Sequence, residues 1–197
     1  MITGYCRTVL LVACLGGTLL SGCGRSPHAS FYTLEAVVPQ EAAAARRSMP
    51  TLAVSAVTLP EMVDRPQLVV RADGTRVFVL EMHRWVEPLK NAIPRLLAEN
   101  LCRVLGVEQV AAYPQNSVYE AENRLFVDFQ RFEANDDSVT IDAFWTIRSA
   151  TDKPARSGRS VLHEPVSGLG HEAQVAAYSR ALATLSREIA RAFVAGL

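Results

Sequence analysis

No catalytic signature is present in this chain. It has no Gly-x-Ser-x-Gly elbow, no His-Glu-x-x-His, no glycine-rich phosphate loop ahead of a Lys-Ser/Thr pair and no Cys-x-x-Cys. These absences remove elbow-type hydrolases, helical zinc sites, phosphate-loop nucleotide hydrolysis and dithiol redox exchange. His28, His83, His163 and His171 include no pair at helical ligand spacing, so no metal site is expected. Asp136-Asp137 looks like a carboxylate pair, but a polar hairpin turn accounts for it. An excess of either charge is missing too: 20 basic side chains face 20 acidic ones. Phosphate neutralisation therefore has no basic surplus to work with, which argues against a nucleic-acid partner. No polybasic run favours an anionic membrane surface. Cysteine is scarce: Cys6, Cys14 and Cys23 crowd the start, and Cys102 stands alone in the body of the chain. There is no internal repeat, and no low-complexity segment beyond one short alanine run.

What is there begins at the amino terminus. A short n-region carries Arg7 as its only charge, an apolar stretch runs over 9–20, and Ser21 and Gly22 precede Cys23. That is the layout of a secretory signal, and the apolar run is too short and too glycine-interrupted for a good spanning helix. Leu20-Ser21-Gly22-Cys23 resembles the lipobox of bacterial lipoproteins. The resemblance implies cleavage before Cys23, a diacylglycerol on its thiol and acylation of the new amine. Each buried CH₂ contributes about 0.8 kcal/mol and stable anchoring takes two signals, so a three-chain cysteine would hold a domain on a bilayer essentially permanently. No other cofactor is implied. Gly24 stands where an aspartate would retain an enterobacterial lipoprotein in the inner membrane, which points to the periplasmic face of the outer membrane. The mature chain of 175 residues would carry 19 basic against 20 acidic groups. With Cys23 lipidated, Cys102 has no disulfide partner despite an oxidising compartment. Its place in an apolar helical pattern predicts a buried, inert thiol.

The remainder divides into a tether over 23–30 and one domain over 31–197. The tether's seven residues, 24–30, reach at most about 24 Å. Short apolar runs predict strands over 31–34 and 52–59, the latter stopped by Pro60. Asp73-Gly74 between 67–71 and 76–80 is a hairpin signal. A helix is expected over 87–105, where Leu89, Ile93, Leu97 and Leu101 form one stripe. Pro88 suits its first position and Gly106 its end, while Pro94 predicts a kink or an irregular first turn. Strands follow over 107–113, 123–132, 139–148 and 159–166. Phe126, Phe132 and Phe144 break the alternation and are expected to face away from the core. A second helix over 171–195 carries Val175, Tyr178, Leu182, Leu185, Ile189 and Phe193 on its apolar face. The expected fold is a mixed β-sheet with two main helices packed against it.

Two stretches do not read as ordinary core. In Leu59-Pro60-Glu61-Met62-Val63-Asp64-Arg65-Pro66-Gln67, two prolines bracket an acid and an arginine. In His83-Arg84-Trp85-Val86-Glu87-Pro88-Leu89, Arg, Trp and Glu stand directly before a helix. Either these residues lock two loops together, with Asp64 pairing Arg84 or Arg65 pairing Glu87 and Arg84 stacking on Trp85, or they form a partner contact. Trp and Arg are the side chains most enriched in interface hot spots.

Together with the lipobox, these stretches resemble the PqiC-type, or ABC-type transport auxiliary, lipoproteins. The carrying residues are Leu59, Pro60, Asp64, Arg65, Pro66 and Gln67, then Arg84, Trp85, Glu87, Pro88 and Leu89. The resemblance implies a non-enzymatic subunit with a fold similar to the amino-terminal domain of TolB. It also implies work with a periplasm-spanning MCE-domain protein and inner-membrane transport components that move lipids between membranes, with a homo-oligomer as a plausible arrangement. A docking or scaffold role is the first expectation. A direct carrier of lipid or lipopolysaccharide is the alternative, and it requires an apolar pocket.

Overall fold

A computed structural model describes residues 28–39, 49–151 and 154–196. The expected export signal, the candidate lipidation and sorting residues Cys23 and Gly24, and most of the alanine-rich loop lie outside those residues. The chain forms β1 (Ser30–Tyr32), β2 (Leu52–Val54), β3 (Gln67–Asp73), β4 (Arg76–Trp85), α1 (Leu89–Leu105), β5 (Ala111–Ala112), a 3₁₀ turn (Asn116–Tyr119), β6 (Asn123–Ala134), β7 (Ser138–Ser149), β8 (Arg156–Pro165) and α2 (Gly170–Val194). This is the mixed α/β architecture with two helices that the sequence pattern predicts.

All eight strands belong to one sheet, organised by β6. One edge of β6 pairs antiparallel with β7, which in turn pairs with β8. Its other edge is shared. Asn123 to Leu125 pair parallel with β2, and Ala134 meets Val70 of β3. The β3–β4 hairpin, closed at Gly74 with φ +40°, carries β1 on its far edge. Leu125, Val127 and Phe129 of β6 and Val139, Ile141, Ala143 and Ile147 of β7 are buried on the core face. They meet Ile93, Leu97 and Leu101 of α1 and Leu182, Leu185 and Ile189 of α2, all fully buried in the same cluster.

Several expectations change in detail. The strand over 52–59 is regular only to Val54, although Thr58 still bridges Asp128. The strand over 107–113 shrinks to Ala111–Ala112. Helix α1 runs unbroken through Pro94; the proline sits near the start, and the bond it forfeits frees only the Lys90 carbonyl. Phe126 and Phe144 do face away from the core, beneath Arg148 and Arg159 at 5.0 and 5.1 Å. Phe132 does not. A register shift between Phe129 and Arg131 inserts one residue, and Phe132 returns to the core against Phe129 and Tyr178.

Candidate functional site

The two unusual stretches meet at the end of β4. Pro60 starts a turn by accepting the amides of Val63 and Asp64 at 3.0 and 3.3 Å. Val63 is buried and anchors that turn in the core. Pro66 then lends its carbonyl to the Trp85 amide at 2.7 Å, which ties the loop to the last residue of β4. The next amide, of Val86, donates to Tyr32 at 2.9 Å and brings β1 in. Trp85 is buried, its ring edge-on to Tyr178 at 6.0 Å. Tyr178 stacks on Phe132 at 4.3 Å, so the loop junction is braced directly by α2 and β6. Complete burial drives the Tyr178 phenol well above its ordinary value, so it stays neutral.

What these bonds create is a cleft of about 320 Å³ lined by Asp64, Arg65, Pro66, Trp85, Val86, Glu87 and Pro88. Six of the eleven residues that carry the family resemblance line it. Pro60 stands behind it as the turn's acceptor. Arg84 faces away, because neighbours on a strand point to opposite sides. Its Nε donates to the Glu81 carbonyl at 2.8 Å, and its Nη2 lies 3.5 Å from the Glu81 carboxylate. The expected Asp64–Arg84 and Arg65–Glu87 pairs are therefore not formed, and Arg84 does not stack on Trp85. Instead Lys90 reaches Asp64 at 2.6 Å and Arg95 pairs with Glu87. Both partners come from the first turns of α1, where exposed side chains overhang the helix start. Neither Lys90 nor Arg95 stood out in the sequence, since one charge on a helix face looks like another.

The resulting surface has a particular character. Both carboxylates are neutralised by cations on α1, while the exposed Arg65 guanidinium takes no ion pair among the described residues. Val86, missed by the sequence reading, is 63% exposed and forms an apolar rim with Pro66 and Pro88. The signal for it was present: a valine between Trp85 and Glu87 that belongs to no apolar stripe. Helix α1 opens at Pro88, in the N-cap position rather than the first helical one, with no side-chain cap. Among the described residues that line the cleft there is no histidine, cysteine, serine or threonine. A rigid, mostly apolar seat with one free arginine is suited to holding a protein surface.

The remaining sequence candidates fall elsewhere. Cys102 is half-buried and accepts the Val110 amide at 3.0 Å, and burial raises its thiol, which makes it a poor nucleophile. The fold does bring His83 against His171, ring centroids 4.2 Å apart, across strands and helix that sequence spacing could not connect. Among the described residues no group of three or more His, Cys, Asp and Glu side chains is placed to hold a metal ion. No described helix is long and apolar enough to cross a membrane.

The model of the family described as ABC-type transport auxiliary lipoprotein component matches residues 32–190. Two crystal structures share the fold. One is of an uncharacterised protein, 21% identical with TM-score 0.69, over 84% of this chain and 98% of that one. The other is of a Xanthomonas campestris protein assigned to a domain family of unknown function, 19% identical with TM-score 0.67, over 82% and 93%. At those identities the likeness speaks for the fold alone. Among curated proteins none matches.

Proposed function

This chain belongs to the family of ABC-type transport auxiliary lipoprotein components, and from that membership we propose that it is an outer-membrane-anchored periplasmic docking subunit of an MCE-type intermembrane lipid transport system. The observation that carries the reading is the cleft. Two sequence stretches, separated by a whole hairpin, converge on one braced surface with an apolar rim and an unpaired arginine. Its position also suits the role. Because β1 runs parallel to β4 with Ser30 opposite His83, β1 followed back from Tyr32 to Ser30 leads away from Trp85 and the cleft. A domain tethered through Cys23 would turn the cleft away from its own membrane, toward a protein arriving across the periplasm. The subunit has no chemistry to perform in this scheme; its contribution is position.

The test is co-purification from membranes in mild detergent. Arg65→Glu and Val86→Glu change exposed side chains without entering the core. Each is expected to release the MCE-domain protein while the purified lipoprotein keeps its melting temperature. A hot-spot loss of about 2 kcal/mol corresponds to roughly thirtyfold in affinity. Clean isolation of the MCE complex without this lipoprotein, in the unmutated strain, would refute the docking role. Lipid found by mass spectrometry on the purified protein, beyond its own anchor, would favour the carrier reading instead.

A further inference from the structure

The end of the domain opposite the cleft carries apolar side chains that the core does not use. Val70 lies between Phe78 on one side and Ala134 on the other, so the β3–β4 turn at Gly74 and the β6–β7 turn after Ala134 fall at the same end. The first turn of α2 is fastened there as well. The Gln174 side chain donates to the Asn135 carbonyl at 3.0 Å, and the Val166 amide, ahead of the helix, donates to Asp137 at 2.8 Å. β1, followed back from Tyr32 to Ser30, runs toward this end too.

Leu169, just before α2, is 96% exposed, and Phe78 in the hairpin is 52% exposed. A single exposed leucine needs no explanation. This one is flanked by Gly168 at φ +124° and Gly170 at φ +81°, backbone conformations that L side chains rarely adopt. The loop is thus shaped to hold Leu169 outward. Phe78 lies beneath Arg76, whose guanidinium is 5.8 Å from the ring centroid.

We propose that this end of the domain rests on the bilayer, with Leu169 and Phe78 entering its interfacial layer. The inference rests on the lipoprotein reading above, because the reach of the tether selects the occupant. The seven residues 24–30 that follow Cys23 span at most about 24 Å. From the Gln67–Arg84 pair to the Asp73–Arg76 pair at the turn, β3 advances six residues, about 20 Å. The hairpin therefore reaches nearly as far as the fully extended tether, and a domain standing upright on its anchor has this end at the lipid surface. The contact is apolar rather than electrostatic. Exposed Asp136 and Asp137 occupy the adjacent turn, and Asp73 already pairs with Arg76 at 2.6 Å. Anionic headgroups add no attraction there.

The experiment uses the full lipidated chain carrying Cys102→Ser and one new cysteine, at Leu169, at Phe78 or, as control, at Tyr119, which is exposed near the start of β6 at the opposite end. Each is labelled with a nitroxide and reconstituted into phosphatidylethanolamine–phosphatidylglycerol vesicles. Collision with oxygen, relative to an aqueous nickel chelate, should be several-fold higher at 169 and 78 than at 119. Raising the phosphatidylglycerol fraction should leave that ratio unchanged or lower. Labels at 169 and 78 that meet the chelate as freely as the one at 119, in protein that floats with the vesicles, overturn the proposal. Labels shielded from both reagents, as in a contact between two copies, overturn it equally. Failure of the intact protein to float removes the anchor reading itself, and this inference with it.

Discussion

Trp145 and Gly158 show how much one residue decides in this sheet. They are cross-strand partners on β7 and β8, and the indole lies where a side chain at 158 would be. A Cβ built on Gly158 would come within 2.2 Å of the Trp145 ring. The indole also donates to Ser160 at 3.1 Å, so it is not free to swing aside. Gly158→Ala should destabilise the protein by about 1–3 kcal/mol through overpacking, read from urea unfolding. Asn100 presents the opposite case. It is fully buried in α1, and neither its amide nitrogen nor its oxygen has a partner among the described residues. Asn100→Leu, close in volume, should raise stability by about 1–3 kcal/mol, the penalty of an unsatisfied buried polar group; a fall in melting temperature would contradict that. Neither effect was legible in the chain. Gly158 reads as a loop glycine and Asn100 as an off-stripe polar residue, because what each one touches comes from another element.

Among the elements, the seam between β3 and β6 is the narrowest join, with Val70 and Ala134 as its register pair. An ion pair reinforces it. Arg71 donates through Nε and Nη2 to Glu133 at 2.9 and 2.7 Å, and Arg131 adds a contact at 3.1 Å. Arg71, more than any other group, holds the Glu133 carboxyl below its ordinary value of 4.5. A depressed carboxylate favours the folded state when ionised. Its contribution is present above the unfolded pKa and disappears as pH falls through the folded one. Glu133→Gln should therefore be less stable than the unmutated protein at neutral pH, and the gap should close on going from about pH 5 toward pH 3. Urea midpoints at several pH values would show it; a gap independent of pH would not fit. The long elements were readable because their periodicity is strong: α1, α2 and the β6–β7 hairpin lie within a few residues of expectation. The short strands were not. β2 and β5 are held by pairing with β6 and with each other rather than by any pattern of their own. The side on which Phe132 lies was hidden by the inserted residue, which resets the alternation that a strand's two-residue period would otherwise fix.

For the whole molecule, two properties are expected to separate cleanly. Cys23→Ser should move the full-length protein from the membrane to the soluble periplasmic fraction while leaving its fold unchanged. Arg65→Glu should leave it on the membrane and remove its partner. Fractionation combined with co-purification distinguishes the two, and loss of both by either substitution would mean that anchoring and docking are not independent. The sequence by itself determined the signal-like start with its lipobox pattern, the mixed α/β class and the two unusual stretches on which the family resemblance was read, because each is written in consecutive residues or in a short period. Only the tertiary structure decided that those stretches share one cleft, that Lys90 and Arg95 rather than Arg84 and Arg65 neutralise its acids, and that β1, followed back to Ser30, leads away from the cleft. Those are distances between residues far apart in the chain, set by how β4 is paired and how α1 is packed. A local pattern carries no information about them.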